Sequence, residues 1–288
     1  MRVDSHMHFW RFDPTQYSWI GAQMDVLRRD RLPDEAWPLL TSRNIDRCVA
    51  VQARMSEQET DFLLGLASGY SWIAAVIGWV DLCDERLSQR LERWAGSKRL
   101  AGFRHILQND PNAGALVDGV AFRRGVGLLQ SRRMIYEVLV TADQLSVVTD
   151  FCRHANNHWL VLDHLGKPDI RKRRFDGWLR DVKPIAALPH MVCKLSGLVT
   201  EANDARGNFD VDHLRDYLDA ALDLFGAQRL MFGSDWPVCL LAASYERVAE
   251  IVEDWSSRLS PSDRESIWGD TATRVYGIPT AAGANPPL

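Results

Sequence analysis

The sequence predicts a (β/α)8 barrel, the TIM-barrel class, on three observations. Short apolar runs alternate along the chain with amphipathic stretches, the order that builds a parallel sheet covered by helices. Four of those runs end in residues able to hold a proton or a metal: Val3-Asp4-Ser5-His6-Met7-His8, Leu100 to Arg104-His105, Trp159 to Asp163-His164, and Arg229 to Ser234-Asp235. In a parallel barrel such ends converge on one mouth, where barrel enzymes carry out their chemistry. Finally, 288 residues suit a single barrel, which typically takes ~250. One domain is expected over 1–279, with a tail over 280–288.

In chain order the expected strands are Val3 to Phe9, Asp46 to Ala53, Ile73 to Asp81, Leu100 to Ile106, Ile135 to Thr141, Leu160 to Asp163, Met191 to Ser196 and Leu230 to Gly233. Trp10 to Leu32, after the first strand, is long for a strand-to-helix connection and carries Trp10, Tyr17 and Trp19. Loops of that length form lids or substrate walls, so this one is expected to overhang the mouth. Leu214, Tyr217, Leu218, Ala221, Leu222 and Phe225 make one helical stripe closed by Gly226; Val248, Ile251, Val252 and Trp255 make another. Ser260-Pro261-Ser262-Asp263 reads as an N-cap, a first-turn proline and an acid at the positive helix end. The tail collects Gly283 and Pro286-Pro287 among small residues.

Composition narrows the function. The chain is 46% hydrophobic and 25% charged, with a net charge of −4 and one short basic run, Arg171 to Arg174. That gives no continuous basic surface for nucleic acid. Nothing approaches the ~20 apolar residues of a membrane span, and no secretory leader is recognisable. The five cysteines are odd in number and widely spaced, so neither a disulfide framework nor a zinc knuckle is indicated. A cytoplasmic enzyme is expected, and its oligomeric state is open.

His6 and His8 are the strongest chemical signal. Side chains on a strand alternate, so both imidazoles, with Asp4 behind them, are expected on one side, where they can share a divalent cation or a catalytic water.

Together with Gly102-Phe103-Arg104-His105, Leu162 to Pro168, Cys193 to Leu198, Phe232 to Pro237 and the closing Thr271 to Gly277, this start resembles the amidohydrolase superfamily, and within it the amidohydrolase 2 branch that includes sugar lactonases. The likeness covers nearly the whole chain. It implies that Asp235 is the general base acting on water, although an N-cap role would also suit that residue. It implies that His6, His8, His164 and Asp235 hold a divalent metal, zinc or manganese by their nitrogen and oxygen donors, or position water in relatives that work without one. No lysine matches the bridging ligand of binuclear relatives, so one metal or none is expected.

Arg104 and His105 bring a cation and a donor to the end of the fourth strand, useful for a carbonyl oxygen gaining charge. Alternation separates their side chains, and His105 is expected to face the site, with Arg104 either binding substrate or pairing outside the barrel. Lys194 is a charge in an apolar run, which implies a carboxylate or a substrate to meet it. Trp10 and Trp236 lie at strand ends and suit the apolar face of a sugar. The expected reaction is hydrolysis of a sugar lactone, an aldonolactone such as L-fuconolactone. The alternatives are a metal-dependent decarboxylase of the same branch and a non-catalytic sugar-binding barrel.

Overall fold

A computed structural model describes residues 1–204 and 208–280. The eight strands are β1 (Val3–Met7), β2 (Arg47–Val51), β3 (Ile73–Gly78), β4 (Leu100–Ile106), β5 (Ile135–Leu139), β6 (Leu160–Leu162), β7 (Met191–Leu195) and β8 (Leu230–Phe232). They follow one another in sequence order, and every neighbouring pair is parallel. The fold is the expected (β/α)8 barrel. All eight expected strands are present, and β4 has the expected bounds. Most of the others stop one to three residues short of the expected C-terminal end. The chain there leaves the hydrogen-bonded ladder, and the residues that do so include most of those with chemistry.

Closure between β8 and β1 lies partly beyond the strands. His8 N donates to Trp236 O at 2.7 Å, and Asp235 N donates to His6 O at 2.9 Å. Ser5 Oγ donates to Phe232 O at 2.6 Å, while Asp4 Oδ1 accepts from Ser234 N at 2.9 Å. The barrel is sewn shut by the same two segments that carry the histidine pair and Asp235.

Both expected helical stripes form helices, Val211–Phe225 and Tyr245–Ser256, with their apolar faces turned to the barrel. Gly226 ends the first at φ 70°, a conformation glycine adopts without steric cost. Ser260 caps Pro261–Glu265 by accepting from Asp263 N. The last helix, Thr271–Tyr276, sends Ala272, Val275 and Tyr276 against Val3, Val49, Ile135 and Val161, an apolar floor inside the barrel. From residue 281 onward the expected tail lies outside the described residues. Among the described residues no helix is long and apolar enough to cross a membrane.

The long loop after β1 has a core of its own. Trp10 and Arg31 exchange both backbone hydrogen bonds at 2.9 Å, and Trp10, Tyr17, Ile20 and Leu27 pack with Ala53 beneath them.

Gly102 of β4 shows how tight the wall is. A Cβ there would come within 2.2 Å of Ile135 O, backbone that cannot swing aside. Gly102→Ala should therefore lower stability in urea unfolding by about 1–3 kcal/mol. Gly127→Ala, in a helix with nothing within 4 Å of the new methyl, should hold or raise it.

Candidate active site

The histidine pair stands as expected, but Asp4 does not. The β1 register shifts between Asp4 and Met7, and Asp4 lies away from the imidazoles, beside Ser234 and Tyr245. Burial raises its carboxyl to about 6. His6 is fully buried and His8 is 4% exposed. His8 Nδ1 lies 2.8 Å from Val51 O, which can only accept, so the ring hydrogen sits there and Nε2 presents a bare lone pair. That Nε2 is 3.2 Å from His6 Nε2. His6 Nδ1 accepts from the Lys194 ammonium at 3.0 Å, so the hydrogen of the neutral His6 ring sits on Nε2 and donates to His8 Nε2.

Asp235 leaves β8 at φ 60°, a conformation that Asp tolerates better than most residues. Its Oδ1 is then 3.3 Å from His8 Nε2 and 3.8 Å from His6 Nε2. Burial works to raise its carboxyl, but His164, His8 and His6 outweigh that and hold it below the usual carboxylate range, ionised at neutral pH. Burial holds the His164 ring at about 4, and burial with the adjacent Lys194 charge takes His6 well below its ordinary value. Both rings are neutral, the form that can ligate a metal or accept a proton.

His164 reaches the site through an unusual backbone. His164, Leu165, Gly166 and Lys167 all have positive φ, 53°, 54°, 70° and 48°. The left-handed turn cancels strand alternation, which would set neighbours on opposite faces, so Asp163 and His164 both turn inward. The His164 ring sits 4.4 Å from that of His6, and its Nδ1 meets Ser196 Oγ at 2.8 Å. Gly197, at φ 69°, leaves room for it, since a Cβ there would come 2.8 Å from His164 Nδ1.

The β4 expectation is corrected. Arg104, not His105, faces the interior: its Nη1 lies 2.8 Å from Asp163 Oδ2 and 3.3 Å from His6 Nε2, and Nη2 donates to Gln52 O. His105 faces the helical layer, edge-on to Phe122 with ring centres 5.8 Å apart. Alternation held, with the opposite phase. His105 is therefore removed from the candidate catalytic set.

Lys194 is also not where a ligand could touch it. Fully buried below His6, its ammonium lies 2.6 Å from Glu137 Oε1, 3.0 Å from His6 Nδ1 and 3.1 Å from Asp163 Oδ1. Glu137 and His6 accept hydrogen bonds from it, and Asp163 adds an ion pair. Tyr276 donates to the same Glu137 oxygen at 2.6 Å, tying the network to the barrel floor. Trp10 and Trp236 are likewise fully buried and do not line the mouth. Trp10 donates to Arg29 O inside its loop, and Trp236 packs against Phe9 with tilted rings 5.9 Å apart.

The mouth is a cavity of about 280 Å³, near the lower end of the ~300–1,000 Å³ typical of small-molecule sites. His8, His164, Asp235 and Arg104 form its base, and Ile106, Leu139 and Val238 give it apolar walls. Trp19, from the long loop, and Lys167 complete the rim. Sequence reasoning placed the loop over the site and named Trp19 among its aromatic residues, but it did not single out Lys167. Lys167 could have been found from its place in the His164 to Pro168 segment.

His6, His8 and Asp235 fit one metal ion. Their facing atoms stand 3.2, 3.3 and 3.8 Å apart. A tetrahedral zinc with bonds of about 2.0–2.1 Å needs ligand separations of about 3.3 Å. A second set, His6, Asp163 and His164, is also close enough in space. There, however, the Lys194 ammonium and the Arg104 guanidinium already hold the Asp163 oxygens. The geometry accommodates one cation, not two, and His164 is grouped with Asp163 rather than with His8 and Asp235.

A parallel barrel whose mouth joins a His-x-His pair to an aspartate after the last strand is a hydrolase-type site. The chain belongs to the amidohydrolase family, whose model (Amidohydro_2) matches residues 3–278. It is 51% identical over 292 residues to an L-fucono-1,5-lactonase of Burkholderia multivorans, a match covering 99% of this chain and 98% of that one. An L-fucono-1,5-lactonase of Burkholderia ambifaria is 32% identical, over 98% and 97%. A crystal structure of an amidohydrolase from Burkholderia multivorans with bound zinc has a TM-score of 0.94 at 51% identity, covering 97% of this chain and 100% of that one.

Removing one member of a buried ion network leaves the others uncompensated. Lys194→Met should cost about 3–5 kcal/mol in thermal or urea unfolding. Adding Glu137→Gln to it should recover part of that loss.

Proposed function

We propose that this protein is a lactonase that opens a small sugar lactone, an aldonolactone of the L-fuconolactone type, to its hydroxy acid. The observation that carries the reading is the ionised Asp235 carboxylate, 3.3 Å from His8 at the base of a sugar-sized cavity, in a chain 51% identical end to end to a lactonase. The decarboxylase alternative gives way to that likeness, and so does the binding-only barrel.

Asp235 accepts a proton from water as the water oxygen attacks the lactone carbonyl carbon. His8 and His164 border the position where the carbonyl oxygen gains charge, and Arg104 supplies a fixed positive field beneath them. When the tetrahedral intermediate collapses, the bond from the former carbonyl carbon to the ring oxygen breaks, and the proton held by Asp235 passes to that oxygen. The hydroxy acid leaves as a carboxylate, with one proton released to solvent. A zinc or manganese ion held by His6, His8 and Asp235 would polarise the carbonyl and acidify the water. The same residues can position water without it, held in place by the hydrogen bond from His6 Nε2 to His8 Nε2. Five free cysteines fit a reducing compartment such as the cytoplasm, and the substrate class fits carbohydrate metabolism.

With a pH indicator and a panel of five- and six-carbon sugar lactones, wild type should release acid stereoselectively. Asp235→Asn should lose about 10²–10⁴-fold in kcat while keeping its fold, as positioned acid-base groups do. An Asn variant of near wild-type rate would remove Asp235 from the mechanism. Elemental analysis after zinc loading should find at most one zinc per chain, and less in His8→Ala. Two tightly held zinc ions would contradict the single-cation geometry.

A further inference from the structure

Opening a lactone turns a neutral ester into a carboxylate, so the reaction creates a negative charge that its substrate lacks. That charge appears near the ionised Asp235, which repels it. Two cations border the cavity. Arg104 is already engaged: Asp163, Gln52 O and His6 meet its two terminal nitrogens, and only 3% of it is exposed. Lys167 is differently placed. It is the fourth residue of the left-handed turn, sits on the cavity rim, and has one ion-pair partner, Glu201 Oε1 at 2.6 Å. An ammonium has three donors, so two remain for a ligand. The pair is partly open to water, at 16% and 23% exposure, so solvent screens it and it is weakly held.

The backbone supports the same assignment. Three non-glycine residues with positive φ, His164, Leu165 and Lys167, in a run of four that includes Gly166, form a costly conformation that persists only where the surrounding structure imposes it. The turn presents His164 and Lys167, three residues apart, to the same cavity.

We propose that Lys167 is the product-carboxylate site. Its ammonium binds the carboxylate as the ring opens, and Glu201 is the resting counter-ion that the product displaces and that takes Lys167 back when the product leaves. The inference rests on the lactonase reading. It assigns Lys167 to binding the anion rather than to the attack on the carbonyl, so lactone affinity and acid affinity separate.

The test is calorimetric titration with the sodium salt of the hydroxy acid from L-fuconolactone, alongside steady-state kinetics on the lactone. Lys167→Met should weaken acid binding at least about tenfold, the scale of one charge-assisted pair, and by more than it changes lactone KM. Lys167→Arg should keep most of the acid affinity, which guards against a folding defect. Glu201→Gln removes the competing charge and should tighten acid binding and deepen product inhibition, the opposite direction from Lys167→Met. Acid binding equal in wild type and Lys167→Met would overturn the proposal, as would equal losses for lactone and acid, or no acid binding by wild type. A wild type that binds the acid through Lys167 but hydrolyses no lactone would instead overturn the lactonase reading.

Discussion

The ammonium of Lys194 is the point on which the inner barrel depends. It stands in an interior with no exposure to water, and such a charge is tolerable only when it is paired and hydrogen-bonded. Glu137 and His6 accept hydrogen bonds from it, and Asp163 pairs with it. That network sets the state of the residues above it. Lys194, with Arg104 and His6, overrides the effect of burial on Asp163 and holds it well below the ordinary carboxylate range, which keeps Asp163 as the anion that Arg104 requires. The same positive charge, added to burial, keeps the His6 ring neutral. A neutral His6 that accepts from Lys194 at Nδ1 carries its hydrogen on Nε2, which makes the 3.2 Å contact with His8 a hydrogen bond.

From floor to mouth the interior runs from apolar to charged to open. Val3, Val49 and Ile135 pack on the closing helix. Glu137, Lys194, Asp163 and Arg104 fill the middle, and His8, His164 and Asp235 face the cavity. Burial also raises Glu137, to about 7, against the pull of Lys194 and Arg104. Beneath the site the barrel holds an ammonium and a guanidinium that belong to the protein itself. The positive field under the site is therefore permanent, independent of any bound ion.

Much of this was legible in the sequence because strand period and strand-end chemistry are local signals. Eight strands, the His6–His8 pair and the position of Asp235 follow from runs and spacing alone. What escaped was phase. One face assignment at β4 exchanges Arg104 for His105, because the period of two says that neighbours differ but not which of them points inward. Hydrophobicity gives little help when both neighbours are polar. The Asp163–His164 pair escaped for another reason: alternation ends where φ turns positive, and nothing in Asp-His-Leu-Gly other than the glycine announces that. Asp4 likewise left the imidazole face at a register shift that composition does not mark. Trp10 and Trp236 were near the mouth in sequence but were drawn into packing, as large rings usually are, and Trp19 took the exposed place on the rim.

Barrel closure and chemistry are not separable here. The hydrogen bonds from His8 N to Trp236 O and from Asp235 N to His6 O join the last strand to the first, and they are made by the backbone of the histidine pair and the aspartate themselves. Asp4 adds a side-chain tie, accepting from both His6 N and Ser234 N. The separation of Asp235 from His8 is thus a consequence of closing the sheet, set by covalent geometry and backbone bonds rather than by side-chain rotamers. A base positioned by backbone costs little entropy to hold in place during reaction, which is the condition for preorganised catalysis. His164 and Lys167 come from a different device, a strained turn outside the ladder. They can therefore vary in position without opening the barrel, which suits the parts of the site that must meet a substrate's shape and release a charged product.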